Sequence, residues 1–254
     1  MARVLVTGGQ RGIGRAIALA LAAEGHDVAI NAEAPSAALE ATAADIAAMG
    51  RASAALVADL AELDSHAGLL QAAEAALGPL DVLVNNAGVG ALRRGDPLDV
   101  TPESFDRCMA LNARAMFFLS QRFARSLLAR PRPDGVHCCL VNITSSNAVA
   151  VALTRADYAI SKAAAHMVSQ SLAARLAADG IGVYEIQPGV IATDMTAPVL
   201  DDYRARIADG LTLAPRVGMP EEIGTAVAAL VAGRFAYATG QTIRLDGGLL
   251  LPRF

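Results

Sequence analysis

The sequence predicts an α/β fold: a doubly wound, mainly parallel seven-stranded sheet with helices on both faces. Three observations predict it. Short Val/Leu/Ile-rich runs alternate about six times with longer Ala/Leu-rich amphipathic segments, the rhythm of strand, crossover helix and parallel strand. Most of the short runs are apolar at nearly every position, as in strands covered on both faces. Hydrophobic residues make up 54%, charged residues 18% and aromatic residues only 4%, so the core is built from Ala, Val, Leu and Ile, which suits close helix–sheet packing.

The strands are expected at "RVLVT" (3–7), "DVAIN" (27–31), "SAALVA" (53–58), "DVLVN" (81–85), "VHCCLVNI" (136–143), "GVYEIQ" (182–187) and "QTIRLD" (241–246). Helices fill the gaps at 12–24, 36–49, 62–77, 102–129, 157–179 and 220–232. Ser36, Thr101-Pro102 and Pro220-Glu221-Glu222 carry helix-start chemistry: a side-chain oxygen for a free N–H, or a proline that has none to lose. No linker or repeat divides the chain, so residues 1–254 are expected to form one domain. The stretch of about thirty residues after "QPG" (187–189) has no strand. Ligands of open α/β sheets bind outside the carboxyl ends of the strands, so residues 190–219 are expected to act as a lid there.

The bulk numbers exclude several function classes. A net charge of −4 and the absence of like-charge blocks speak against nucleic acid and anionic membrane surfaces. No apolar run reaches the ~18 residues of a membrane span, and "MARVLVTGG" runs almost directly into a strand, without a signal-peptide pattern. Cys108, Cys138 and Cys139 are expected to be reduced packing residues of a cytoplasmic protein. No metal site is expected; His26, His66, His137 and His166 are scattered and are expected to be satisfied locally.

Gly8, Gly9, Gly12 and Gly14 follow the first strand and open the first helix. A tight glycine turn lets backbone approach a pyrophosphate, which then meets the free N–H groups and positive end of the helix. The spacing is G-x-x-x-G-x-G rather than G-x-G-x-x-G. Its place after strand one favours a nucleotide site over a purely structural turn and makes the fold Rossmann-type.

"TGGQRGIG" resembles the T-G-x-x-x-G-x-G cofactor motif of the short-chain dehydrogenase/reductase family. Further motifs follow in that family's order: "NNAG" (85–88), Asn112 in "LNARAMFF", "NITSS" (142–146), "YAISK" (158–162), "PGVIATDM" (188–195) and "RLDGG" (244–248). The resemblance covers essentially the whole chain, and the pattern is most similar to 3-oxoacyl-carrier-protein reductases.

The resemblance implies a catalytic set of Asn112, Ser145, Tyr158 and Lys162. A tyrosine at a helix start is ordinarily packing or surface, and Ser-Ser after a strand is ordinarily a turn. On a helix, however, positions i and i+4 share a face, so Lys162 can lie beneath the Tyr158 ring. A cation ~4 Å from a phenol, at an effective dielectric of ~20, is worth about 4 kcal/mol or ~3 pKa units, enough to bring a phenol of pKa ~10 towards neutral working pH. Ser145, thirteen residues before Tyr158, would donate to the substrate oxygen, with Ser146 as its rival. Asn112 would help hold a water linking Lys162 to solvent. As a plain structural residue it would bond backbone and kink its helix.

The cofactor set carried over comprises Gly8, Arg11, Gly12, Ile13 and Gly14 around the phosphates, and Asp59 and Leu60 at the adenine. Asn86, Ala87 and Gly88 run along the adenosine ribose, Tyr158 and Lys162 lie at the nicotinamide end, and Pro188, Gly189, Ile191 and Thr193 at the carboxamide and pyrophosphate. Asp59 could equally cap the helix that follows. For NAD against NADP the signals conflict. The strand-two position that is acidic in NAD-preferring members is Ala32, but Glu33 follows and could bond the ribose 2′-hydroxyl. Arg11 sits where NADP-using relatives carry a basic residue. The balance tilts slightly to NAD.

The implied activity is NAD(P)-dependent hydride transfer between nicotinamide and a small ketone or secondary alcohol, including 3-oxoacyl thioesters. The alternatives are a polyol or sugar dehydrogenase and a dinucleotide-binding sensor with little turnover. The substrate wall is expected from 88–92, 147–156 and the lid; no cluster of charges suited to a sugar phosphate is legible there. Arg122, Arg125, Arg130 and Arg132 are read as solvated helix-end charges, or as a contact for an acidic carrier protein. A homotetramer or dimer is expected, packed through helices 102–129 and 157–179 and the tail "LLLPRF" (249–254).

Overall fold

A computed structural model describes residues 1–252; Arg253 and Phe254 of the expected subunit-contact tail lie outside them. Strands β1 (Arg3–Thr7), β2 (Asp27–Ala32), β3 (Ser53–Val57), β4 (Val82–Asn85), β5 (Cys139–Ile143), β6 (Gly182–Pro188) and β7 (Thr242–Leu245) form one sheet in the order β3-β2-β1-β4-β5-β6-β7. Every neighbouring pair is parallel, so the sheet is wholly rather than mainly parallel.

The nearly continuous apolar runs are explained by two separate cores. On β1, Val4 and Val6 face one side with Val28, Ile30, Val82, Val84 and Ile186, while Leu5 faces the other with Ala29, Leu83, Leu140 and Val183. Helices α1 (Gly12–Ala23), α2 (Ala37–Ala48) and α8 (Pro220–Val231) close the first face. Helices α3 (Ser65–Leu77), α5 (Met116–Leu128) and α6 (Ala156–Leu176) close the second. Most strand residues therefore carry an apolar side chain whichever way they point.

Three segments differ from the sequence expectation. The strand foreseen over 136–143 starts only at Cys139. The helix foreseen over 102–129 is α4 (Pro102–Met109) and α5 joined by a wide, π-type turn over Ala110–Ala115. Asn112 sits in that turn, where a helix ladder is broken by an inserted interaction. The strandless stretch 190–219 contains a helix of its own, α7 (Leu200–Ala208), and touches itself through a single parallel bridge between Ile191 and Gly218. Of the basic stretch at the end of α5, Arg130 is half-buried; it donates to the Leu80 carbonyl and lies 3.7 Å from Asp81, a structural use.

The first and last thirds of the chain meet where α1 crosses α8. A Cβ on Gly224 would stand 2.6 Å from the Ala16 carbonyl oxygen, so only glycine permits this approach. Gly224→Leu is expected to push α1 off the sheet and to cost about 1–3 kcal/mol by overpacking. At ~2–4 °C per kcal/mol for a chain of this size, thermal unfolding by circular dichroism should show a fall of several degrees.

Candidate active site

The strand order reverses direction between β1 and β4, and a crevice opens beyond their carboxyl ends. The loop after β1 makes two left-handed turns, at Gly8 (φ 64°) and Gly12 (φ 52°). A Cβ on Gly14 would lie 2.0 Å from the Gly8 carbonyl oxygen and 2.5 Å from Asn86 Nδ2. The loop is stitched to the end of β4: Asn86 Nδ2 donates to the carbonyls of Thr7 (2.9 Å) and Gly8 (3.1 Å), and Thr7 Oγ1 accepts from the backbone of Asn86 and Ala87, 3.0 Å each. No acidic side chain occupies the first turn of α1, so its N–H groups keep their positive character towards the crevice. A backbone cradle with no room for side chains, at the positive end of a helix, fits a dinucleotide pyrophosphate.

The crevice walls bring together Gly8, Arg11, Gly12, Ile13, Gly14, Asn86, Ala87, Gly88, Ser145, Tyr158, Lys162, Pro188, Gly189, Ile191 and Thr193. Gln10, Ile143 and Thr144 join them without having been foreseen, as do Asp194, Met195 and Thr196 from the foreseen lid. Glu33, Asp59, Leu60 and Asn112 are not in the walls. Glu33 is exposed just past the end of β2. Leu60 is buried in the second core. Asp59 does not cap α3, which begins at Ser65 after Asp64; its Oδ1 accepts from the Ala61 N–H (2.8 Å) in a turn ahead of that helix. Arg11, two-thirds exposed, reaches Asp194 across the crevice mouth at 3.4 Å.

Asn112 stands behind the wall, and its side chain is fully used. Oδ1 accepts from Val89 N–H, and Nδ2 donates to the Val89 carbonyl and to Ser161 Oγ, each at 2.9 Å. A Cβ on Gly88 would be 2.9 Å from Asn112 Oδ1 and 3.4 Å from Lys162 Nζ, so this glycine lets the two polar side chains meet the β4 loop.

Tyr158 and Lys162 share one face of α6, with Nζ 5.8 Å from the phenol ring centre. The ammonium is only 4% exposed and donates to the Ile143 carbonyl at 3.3 Å. Behind it on β6 lies a buried carboxylate, Glu185, which accepts from Thr144, His166, Gln187 and Thr242 and is held below the usual carboxylate range by those donors, against burial acting the other way. Of the two serines, only Ser145 lines the crevice, while both line the second cavity described below.

The electrostatics differ from the sequence expectation. Burial is the largest influence on Tyr158 and pushes its phenol up; the Ser145 hydroxyl and the Arg155 guanidinium oppose the rise. Lys162 gives way instead: burial lowers its ammonium to about 8, with Glu185 pulling it back up. The expected ~3-unit fall assumed a fully charged neighbour at ~4 Å in a moderately polar medium; a dry site penalises both charges first.

Ser145 and Tyr158 also stand in the wall of a second cavity of about 830 Å³, bounded by the 90–94 loop, the 145–155 segment, α7 and Leu249–Leu250. The apolar wall foreseen over 147–156 is there, with Ala150, Val151, Ala152 and Leu153. The expectation of no charge cluster is overturned: Arg94, Arg107, Arg155 and Arg206 converge on this cavity from distant positions in the chain. All four histidines are bonded locally: His26 to Ala2, His66 to Leu60, His137 to Tyr184 and His166 to Glu185.

The sign of the Lys162 shift gives a stability test. Its folded-state pKa of about 8 lies below its ordinary 10.5. The unfolded chain therefore binds more protons between those values, and stability rises with pH across that window. Below pH 8 the buried charge costs up to about 3 kcal/mol at 1.36 kcal/mol per unit. Lys162→Met should raise the melting temperature at pH 7 by several degrees, and the gain should shrink between pH 8 and 10; thermal melts across that range check it.

A family model described as "Enoyl-(Acyl carrier protein) reductase" matches residues 8–250. The 3-oxoacyl-[acyl-carrier-protein] reductase of Staphylococcus aureus is 34% identical over 247 residues, 97% of each chain. The 2-dehydro-3-deoxy-D-gluconate 5-dehydrogenase of Dickeya dadantii is 32% identical over 249 residues, 97% of this chain and 94% of that one. The crystal structure of 3-oxoacyl-[acyl-carrier protein] reductase from Brucella melitensis in complex with NAD superposes with a TM-score of 0.96 at 42% identity, covering 100% of this chain and 99% of that one. With the glycine cradle, the parallel sheet and the tyrosine–lysine face of α6, these likenesses identify the chain as a member of the short-chain dehydrogenase/reductase family.

Proposed function

We propose that this chain is an NAD(P)-dependent oxidoreductase that interconverts a ketone and a secondary alcohol, with Asn112, Ser145, Tyr158 and Lys162 as its working residues. The observation that carries this reading is that Ser145 and Tyr158 belong to both cavities, so a group held between them touches the cofactor crevice on one side and the substrate chamber on the other. The bound nicotinamide supplies the hydride for reduction or takes it in oxidation. Tyr158 gives its phenolic proton to the carbonyl oxygen as that oxygen becomes an alkoxide, and takes it back in the reverse direction. A raised phenol pKa keeps Tyr158 protonated, the form that reduction requires. Ser145 donates to the same oxygen. Lys162 stabilises the phenolate left behind and is positioned by its bond to Ile143. Asn112 is a positioning residue that fixes the β4 loop to α6 through Val89 and Ser161.

Around the cofactor we assign Gly8, Arg11, Gly12, Ile13 and Gly14 to the phosphates, and Pro188, Gly189, Ile191 and Thr193 to the nicotinamide side. Glu33, exposed beyond β2, supports a preference for NAD by meeting a ribose 2′-hydroxyl and repelling a 2′-phosphate. Residues 190–219 act as a lid, for which the Arg11–Asp194 contact across the crevice mouth is the support. We read the protein as a homo-oligomer, since Phe118 on α5 and Ile160 and Met167 on α6 leave apolar surface exposed on the helices expected to pair. Three buried, unpaired cysteines support a cytoplasmic location, and no helix among the described residues is long and apolar enough to cross a membrane.

Tyr158→Phe should lower kcat by about 10²–10⁴-fold with cofactor binding retained, read as absorbance change at 340 nm on the best ketone and as fluorescence titration of the reduced cofactor. Full activity in this variant would reject the mechanism. Glu33→Ala should raise the NADP-to-NAD ratio of kcat/KM by roughly 10-fold, the worth of one charged hydrogen bond; an unchanged ratio removes Glu33 as the selector.

A further inference from the structure

The second cavity has an electrostatic character that neither composition nor motif accounts for. The chain as a whole carries net charge −4. This cavity nevertheless gathers four arginines and no aspartate, glutamate or lysine in its walls. Arg94 comes from the loop after β4, Arg107 from α4, Arg155 from the turn before α6 and Arg206 from α7. None of the four makes an ion pair among the described residues, although nine such pairs hold other basic side chains. Arg94, Arg107 and Arg206 are exposed and Arg155 is half-buried, and all four border the same concavity. Like charges around a low-dielectric hollow repel one another and focus a positive potential into it, which an anionic ligand relieves.

The arrangement is graded towards the reacting residues. Arg155 lies deepest, half-buried, with its guanidinium 5.8 Å from the Tyr158 ring centre. One of its Nη atoms donates to the Tyr203 hydroxyl at 3.1 Å, while its Nε is buried with no partner. Arg206 stacks against the same tyrosine, 5.7 Å from the ring centre, and Arg107 is braced on the Gly90 carbonyl at 3.1 Å. Tyr203 thus holds one guanidinium beside the phenol and another further out on α7. A buried N–H with nothing to donate to is a cost that a ligand oxygen removes, and planar guanidinium groups suit carboxylate and phosphate oxygens.

We propose that the substrate of this site is an anionic ketone or alcohol, whose charged oxygen group, a carboxylate or a phosphate ester, is received by Arg155 and drawn in by Arg206, Arg107 and Arg94. The inference rests on the oxidoreductase reading and names the substrate class within it. In reduction a bound reduced nicotinamide would supply the hydride to the carbonyl carbon, protonated Tyr158 would give its proton to the carbonyl oxygen and become the phenolate, and the charged group would be unchanged throughout.

The test is reduction of four ketones followed at 340 nm with either reduced cofactor: 5-keto-D-gluconate, D-fructose 6-phosphate, neutral D-fructose, and the neutral N-acetylcysteamine thioester of 3-oxobutanoate. We expect kcat/KM for the better anionic ketone to exceed that of both neutral ones by at least about 10-fold, with the first two compounds separating carboxylate from phosphate. Arg155→Met and, independently, Arg206→Met should each cut the anionic-to-neutral ratio, by about 10–100-fold and less steeply, respectively. Added salt should depress the anionic rate only; this reading needs no variant and stands if a variant fails to fold. A neutral ketone or thioester that matches or outruns the anionic ones would overturn the inference while leaving the oxidoreductase reading in place. Turnover of none of the four would remove both.

Discussion

A primary ammonium group, on Lys162, lies almost wholly out of water between the sheet and α6, and the rest of the site is organised around that burial. The charge is tolerated because a carbonyl of β5 accepts from it and a carboxylate on β6 stands behind it, itself supplied with four donors, one just past β5 and the others on α6, β6 and β7. Burial of an ion without such compensation is prohibitive. The strands therefore do more than form a core: their carboxyl ends carry Ile143, Thr144 and Glu185 as one polar layer beneath the helix that bears Tyr158. Glycine at position 88 completes the arrangement by leaving room beside the ammonium.

How much of this was legible beforehand depends on whether the cause is local in sequence. Strands declare themselves because burial on two faces demands apolar runs, and the glycine loop because φ near +60° at positions 8 and 12 disfavours any other residue. That Tyr158 and Lys162 share a helix face is readable from their four-residue spacing, while their role came from the family resemblance. Asn112 was visible as a polar intrusion in a helix, and its structural reading is the one observed: its amide bonds backbone at Val89 within a π-type turn. What escaped was set by tertiary packing. The π-type turn, the start of β5 at Cys139 and the helix inside 190–219 carry no periodic signature of their own. The four arginines of the second cavity come from a loop, two helices and a turn, and no spacing rule joins them.

The phenol illustrates how a correct pairing can carry the wrong sign. Proximity of a cation was inferred from helical geometry, and it is there, but the lysine is buried and the tyrosine half-buried in the crevice wall. Desolvation then governs each of them, raising the tyrosine and lowering the lysine. Protonated tyrosine is the form a carbonyl reduction consumes, so the protein in this state is poised to give a proton rather than to accept one.

The tight seating of Ala16 against Gly224 also bears on how the protein is made. The helix that carries the nucleotide loop and its partner α8 lie far apart in the sequence. Until α8 is available, α1 has one flank of apolar surface with nothing to cover it, and β7 has yet to take its place at the edge of the sheet. Contacts spanning most of a chain are slow to form and leave a long-lived sticky intermediate. The nucleotide loop is therefore firmly seated only when α8 has docked against the helix that carries it.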